Sequence, residues 1–309
     1  MSDTIAVIDI GTNSALLLIV RRVGSELVSL CEEARTPRLG AGLAATGQIG
    51  PIPQLRLNRT LRSYLRTCKA HGTSTVIAVG TRVFRTAHNA RKVVRQIARH
   101  TGLRIRVLSA KEEASYAFRG ALSGLPDVRH GVMVDIGGGS SELVLFRRRK
   151  IVSTLSLPLG CVTLGEMQLR RFCAISDRRL EAARSAVQLS FSQIPREYRQ
   201  HSTSIIGVGG TITTLAAWEL KLRAYRADRV HRYVLSREHI EHDVRRFREL
   251  SSAEIKRRIP YDPRRAAVLP AGTFLWAEVL NHLGAQWVTV SHRGLRWGIA
   301  QEYFATAAK

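Results

Sequence analysis

The chain has 309 residues, 45% of them hydrophobic, with 48 Lys and Arg against 24 Asp and Glu, a formal net charge of +24. That hydrophobic share excludes a disordered chain, and the length allows two domains, each with its own core. The charge draws polyanions (nucleic acid, polyphosphate, phosphorylated nucleotides or an acidic membrane surface) without choosing among them.

No apolar run is long enough to span a bilayer, and Met1-Ser2-Asp3-Thr4 is not a basic region preceding an apolar stretch. Cys31, Cys68, Cys161 and Cys173 form no Cys-x-x-Cys pair, so reduced thiols in a cytoplasmic protein are expected. The basic residues are mostly Arg and spread over the chain; the densest run, Arg147-Arg148-Arg149-Lys150, reads as a solvated hairpin turn. Zinc-finger spacing, basic-zipper heptads and an aromatic-rich RNA-binding signature are absent, which disfavours nucleic acid.

Residues 4–9, 15–22 and 26–32 read as three consecutive strands, and the Gly- and Ala-rich stretch 38–50 as a loop. Leu55, Leu57, Leu61, Tyr64 and Leu65 predict a helix over 51–71, stopped by Gly72. A strand at 75–79, a helix at 89–100, a strand at 103–108 and a helix at 110–122 follow. The second half opens the same way, with strands at 131–135, 141–147 and 151–157. Helices at 164–172 and 177–193, a strand at 204–208, a helix at 211–220 and a short strand at 233–235 come next. Helices at 237–250 and 263–283, a strand at 286–290 and a helix at 295–305 complete the chain. This is the order of a ribonuclease H-like lobe. The expected fold is α/β, with two duplicated lobes, 1–124 and 125–309, facing a shared cleft, the last helix being able to pack back on the first lobe. By analogy of fold alone, that is the architecture of the acetate kinase, sugar kinase, actin and heat-shock chaperone superfamily.

The duplication is visible in the residues. Val7-Ile8-Asp9-Ile10-Gly11-Thr12-Asn13-Ser14 precedes one apolar run, and Val134-Asp135-Ile136-Gly137-Gly138-Gly139-Ser140-Ser141-Glu142 leads into another. Each copy is a strand, an Asp, a turn of small polar residues and a second strand. A carboxylate beside backbone N–H groups suits a metal ion and phosphate oxygens, and Asp135 with Glu142 could hold Mg²⁺ directly or through water. The plainer alternative is a pair of Gly-rich hairpin turns with Asp as an ordinary turn residue. A third site, Gly207-Val208-Gly209-Gly210-Thr211, follows a strand and opens a helix, a general phosphate-binding arrangement.

Ser109 and Glu112 have the spacing of a capping box at a helix start, which leaves Glu113 unused by it. Placed at the join between the lobes, Glu113 could accept a proton from water attacking phosphorus, although spacing alone does not favour that role. Arg82 and Arg85 could share a face directed at phosphates, or be solvated. The ten His residues show no metal-type grouping.

Together these motifs resemble the exopolyphosphatase and guanosine pentaphosphate phosphohydrolase family (Ppx/GppA), in its short two-lobe form. The resemblance runs through residues 9–14, 81–89, 109–114, 135–142, Pro158-Leu159-Gly160 to Glu166, 207–211 and, weakly, 291–296. It implies Mg²⁺-dependent (or other divalent-cation) removal of the terminal phosphate of inorganic polyphosphate, or of the 5′-terminal phosphate of guanosine pentaphosphate, by a homodimer. It implies Glu113 as the catalytic base and Asp9, Asp135 and Glu142 as the acidic metal residues. Gly11, Thr12, Asn13, Ser14, Arg85, Gly137, Gly138, Gly139, Ser140, Ser141, Gly209, Gly210 and Thr211 would contact phosphate.

The sequence departs mildly from the family pattern at Ala110 and Ser141. It also carries Ala267, His292 and Trp297 where acidic residues are common, which bears on substrate preference. A phosphotransferase of the same superfamily and a non-catalytic polyanion-binding module are the competing expectations.

Overall fold

The computed structural model describes residues 4–24, 26–125, 127–167, 169, 172–199 and 204–306. The chain divides into two compact units, residues 1–120 with 295–309, and residues 121–294. In chain order the first elements are β1 (Thr4–Ile10), β2 (Ala15–Val23), β3 (Glu26–Arg35), α1 (Leu43–Thr46) and α2 (Pro51–Ala70). They are followed by β4 (Thr75–Gly80), α3 (Arg82–Thr86), α4 (Ala90–Thr101), β5 (Ile105–Val107) and α5 (Ala110–Ser123).

Unit 1 holds a five-stranded sheet in the order β3-β2-β1-β4-β5. β1 to β3 form an antiparallel meander, and β4 and β5 run parallel to β1. β1 is buried at almost every position, as a central strand covered on both faces must be. Helix α2 buries Leu57, Leu61, Tyr64 and Cys68, and the Tyr64 hydroxyl donates to the Ala15 carbonyl at 2.7 Å, tying helix to sheet.

The chain continues with β6 (His130–Ile136), β7 (Ser141–Arg147), β8 (Lys150–Leu157), α6 (Cys161–Met167), α7 (Asp177–Phe191), β9 (Ser204–Val208), α8 (Gly210–Glu219) and α9 (Ala227–Val230). Then come β10 (Val234–Ser236), α10 (Arg237–Glu249), α11 (Ser252–Arg258), α12 (Leu269–Leu283) and β11 (Trp287–Val290). The sheet of unit 2 has six strands in the order β10-β11-β9-β6-β7-β8. Apart from the added edge strand β10, it repeats the order of unit 1. Even the β-bulges correspond: one interrupts the β2–β3 register between Ile19 and Val20, the other the β7–β8 register between Leu145 and Phe146. Trp276, Phe274, Phe191 and Phe247 fill the core of this unit.

The last helix, α13 (Leu295–Thr306), belongs to unit 1, where it packs on β1 and β2. Arg296 fixes it. One guanidinium nitrogen donates to the Leu17 carbonyl at 2.6 Å and the other lies 3.0 Å from Glu32 Oε2. Tyr116 on α5 also donates to Glu302 on α13.

Several elements differ from the sequence expectation for local reasons. The expected loop 38–50 contains the single turn α1, set between Gly42 and Gly47, both left-handed. The expected helix 263–283 is broken into a 3₁₀ turn, Pro263–Ala267, and α12, the join falling at Val268, just before Pro270 in the first turn of α12. α11 was not expected, yet it has a complete capping box between Ser251 and Glu254. The helix expected at 164–172 begins earlier, at Cys161; residues 168, 170 and 171 lie outside the described residues. Among the described residues, no helix is long and apolar enough to cross a membrane.

Candidate active site

The two Asp-bearing turns share their strand pairing and their closing bond. In unit 1, Asp9 pairs with Leu16 and Ile10 with Ala15 across β1–β2, and the Gly11 N–H closes the turn on the Ser14 carbonyl at 2.9 Å. In unit 2, Asp135 pairs with Glu142 and Ile136 with Ser141 across β6–β7, and the Gly137 N–H closes on the Ser140 carbonyl at 2.9 Å. On the other side, Asp9 pairs with Val79 of β4 and Asp135 with Val208 of β9.

In both turns the inner carbonyls are engaged. The Thr12 and Asn13 carbonyls accept from Gly40 at 2.8 Å and Arg38 at 3.0 Å, and those of Gly137 and Gly138 accept from Cys161 at 3.0 Å and Val162 at 2.8 Å, capping α6. Gly160 is required there, because a Cβ would lie 2.6 Å from the Gly138 carbonyl carbon. Among the described residues, the N–H groups of Thr12, Asn13, Gly138 and Gly139 have no protein acceptor, so both turns present donors to a ligand.

The copies differ in one chemical respect. Across from Asp9 stands Leu16, but across from Asp135 stands Glu142. Residues directly opposite on antiparallel strands carry Cβ atoms about 5 Å apart on the same face, so Asp135 and Glu142 form a carboxylate pair. Glu142 is buried and accepts from the Ser156 hydroxyl at 3.1 Å. Among the described residues, no group of three or more His, Cys, Asp or Glu is placed to hold a metal. A two-carboxylate site nonetheless fits Mg²⁺, which keeps several waters and is commonly bound through one or two carboxylates plus substrate phosphates.

The third loop meets the second inside unit 2. Gly209, with φ +91°, sits so close to Asp135 that a Cβ would lie 2.5 Å from its Oδ1. Gly210 opens α8, and a Cβ there would run into the guanidinium of Arg265. Arg265 is held by Asp262, Nε to Oδ2 at 2.9 Å, and is largely buried. Sequence reading passed over this cation at the α8 N-terminus; the spacing Asp262-x-x-Arg265 within a turn was its available signal.

Two expected phosphate ligands have other engagements. Ser141 is fully buried and its hydroxyl donates to the Leu159 carbonyl at 2.6 Å, so its proton is committed to the loop's own structure. Thr211 is buried against Gly272 of α12. Among the positions departing from the family pattern, His292 pairs its Nδ1 with the Tyr225 hydroxyl at 2.8 Å, Trp297 is buried in α13 and Ala267 ends the 3₁₀ turn.

Back in unit 1, the capping box at the start of α5 is present. The Ser109 N–H donates to Glu112 Oε2 at 2.9 Å and the Glu112 N–H to Ser109 Oγ at 3.2 Å. The Ser109 N–H, the Arg106 guanidinium and the Ser109 hydroxyl, all donating to it, hold the Glu112 carboxyl down at about 2. Glu113, one residue on, is turned to Arg85 of α3, whose Nη1 lies 2.7 Å from Glu113 Oε2 and donates equally to the Leu108 carbonyl at 2.7 Å. Burial pushes the Glu113 carboxyl above its ordinary range, while the Arg85 hydrogen bond and the charges of Arg85 and Arg82 oppose that rise. The resemblance cast Arg85 as a phosphate contact; the structure gives it a second task that spacing could not show.

A strand order repeated in both units, with small-residue turns at the strand ends, defines a two-lobed protein of the actin-like ATPase fold. The profile of the Ppx/GppA phosphatase family matches residues 18–306. The chain therefore belongs to the Ppx/GppA phosphatase family. It is 30% identical to exopolyphosphatase 2 of Mycobacterium tuberculosis over 96% of this chain and 97% of that protein. It superposes on the Aquifex aeolicus family member with a TM-score of 0.82 at 28% identity, covering 99% of both chains. An exopolyphosphatase-like protein of known structure gives a TM-score of 0.90 at 26% identity, covering 100% of this chain and 99% of that one.

Proposed function

We propose that this protein is an exopolyphosphatase, removing the terminal phosphate of linear inorganic polyphosphate with a divalent cation, Mg²⁺ by the donor set, as its cofactor. The observation that carries the reading is the desolvated Glu113 carboxylate, left out of its helix cap and held by Arg85. The name of the M. tuberculosis relative supports the same substrate.

Glu113 takes a proton from water, whose oxygen attacks the terminal phosphorus as the bond from that phosphorus to the bridging oxygen breaks. The shortened chain leaves with the bridging oxygen. Arg85 keeps Glu113 ionised and aimed, and its second N–H group remains for a phosphate oxygen. The N–H groups of the two turns, the N-terminus of α8 and Arg265 bind and orient phosphates. Asp9, Asp135 and Glu142 are the acidic residues of the site, and the Asp135–Glu142 pair would hold the cation, which supplies charge neutralisation at the phosphate oxygens when bound.

Parallel assays of phosphate release from long-chain polyphosphate, tripolyphosphate and guanosine pentaphosphate test the substrate. A higher kcat/KM for polyphosphate is the expected result. Faster release from guanosine pentaphosphate would replace this reading by a 5′-phosphohydrolase, and phosphate transfer to ADP in place of release would replace it by a kinase.

A further inference from the structure

The positive charge is less evenly spread than its total suggests. Between Glu33 and Glu112 the chain holds sixteen Lys and Arg and not one Asp or Glu. The structure gathers most of that charge onto two helices of unit 1. On α2, Arg56, Arg59, Arg62, Arg66 and Lys69 are all exposed, three or four residues apart, so they form one stripe opposite the buried Leu57, Leu61, Tyr64 and Cys68. On α4, which packs against α2, Arg91, Lys92, Arg95 and Arg99 are exposed and Val93 and Ile97 are buried. None of these nine cations makes an ion pair among the described residues. Like charges at helical spacing repel by a few tenths of a kcal/mol per pair, and among the described residues no ion pair to these nine offsets that repulsion.

The stripe has the dimensions and chemistry of a track for a chain of phosphates. At a rise of about 1.5 Å per residue, Arg56 to Lys69 spans roughly 20 Å. Neither helix exposes a Phe, Tyr or Trp ring: the one such residue of α2, Tyr64, is buried, and α4 has none, its one ring being the His100 imidazole in the last turn. Proteins that hold single-stranded nucleic acid stack bases on aromatic side chains. A surface of cations without Phe, Tyr or Trp platforms fits a ligand that offers phosphates and no bases. α3, with Arg82 and the Glu113 partner Arg85, packs on α4, so the cations continue toward the proposed base.

We propose that the exposed face of α2 and α4 is an exosite for linear inorganic polyphosphate, holding phosphates far along the chain from the one being cleaved. Its link to catalysis rests on the hydrolytic reading above; its binding does not.

Two full-length variants test it, R56Q/R59Q/R62Q/R66Q and R91Q/K92Q/R95Q/R99Q, each checked for a native circular dichroism spectrum. Binding of end-labelled long-chain polyphosphate is measured without divalent cation over a range of salt, alongside phosphate release from long-chain polyphosphate and from tripolyphosphate. Each variant should bind the long chain at least about ten-fold more weakly, with the slope of log K against log salt shallower by roughly 0.7 for every phosphate that is no longer neutralised. The long-chain KM should rise while kcat and tripolyphosphate kinetics hold. Unchanged long-chain binding in both variants would overturn the proposal. So would a DNA duplex of matched charge binding the wild-type protein more tightly than polyphosphate does. If the wild-type protein released phosphate from no polyphosphate, the hydrolytic reading would fall, and the binding arm would still decide for or against the exosite.

Discussion

Arg85 Nη1 stands 2.7 Å from Glu113 Oε2 and equally 2.7 Å from the Leu108 carbonyl, so one guanidinium nitrogen locks the carboxylate to the chain segment just before its own helix. Burial raises the Glu113 pKa and Arg85 restrains the rise. A base works ionised, so activity is lost as pH falls through that raised value. The acid limb of kcat/KM is therefore expected above the ordinary glutamate range near ~4.3. Arg85→Gln removes the restraint and should move the limb to still higher pH while lowering kcat. A limb that stays in place or moves down in Arg85→Gln would contradict the pairing as a functional one.

The proposed cation would sit in unit 2, where Asp135 stands across from Glu142, and not in the other copy, where Asp9 stands across from Leu16. Glu142→Gln should weaken Mn²⁺ or Mg²⁺ binding by about 10–100-fold, the scale seen when groups around a metal are removed, as read by electron paramagnetic resonance or calorimetry on the unreacted protein. An affinity equal to wild type would move the cation site elsewhere.

Gly209 is demanded twice, by its φ of +91° and by the closeness of Asp135. Gly209→Ala is expected to cost about 1–3 kcal/mol in unfolding free energy and to depress turnover. Gly72, at φ +62° with open space around its missing Cβ, is the control; Gly72→Ala should cost less and leave turnover alone. Equal losses in the two variants would show that the Asp135 contact is unimportant.

The hairpin cores and the repeat were legible in the chain because apolar alternation and small-residue turns are local signals. The structure adds the register, with Leu16 opposite Asp9 and Glu142 opposite Asp135. Glu113 could be separated from Glu112 because a capping box consumes one glutamate of the two. The Arg85–Glu113 bond was not legible, since it joins a short helix to another element across an intervening helix and strand. Arg265 was hidden for the same reason, its target being a glycine far along the sequence. The burial of Ser141 also escaped, because a serine in a turn and one beneath it look alike in sequence.

Arg296 belongs to a stretch that resembles the family, yet its contacts are structural, joining α13 to the Leu17 carbonyl and to Glu32. Arg296→Ala removes both bonds and should lower unfolding free energy by about 1–3 kcal/mol in urea denaturation, without moving the pH limb assigned to Glu113. A shifted limb would place Arg296 in the chemistry instead.

The central claim is that Glu113 activates the attacking water. Phosphate release from long-chain polyphosphate by Glu113→Gln, with chain binding measured in parallel on the same preparation, tests it most directly. The account predicts a kcat at least ~10²-fold below wild type with polyphosphate still bound; turnover near the wild-type rate would contradict it.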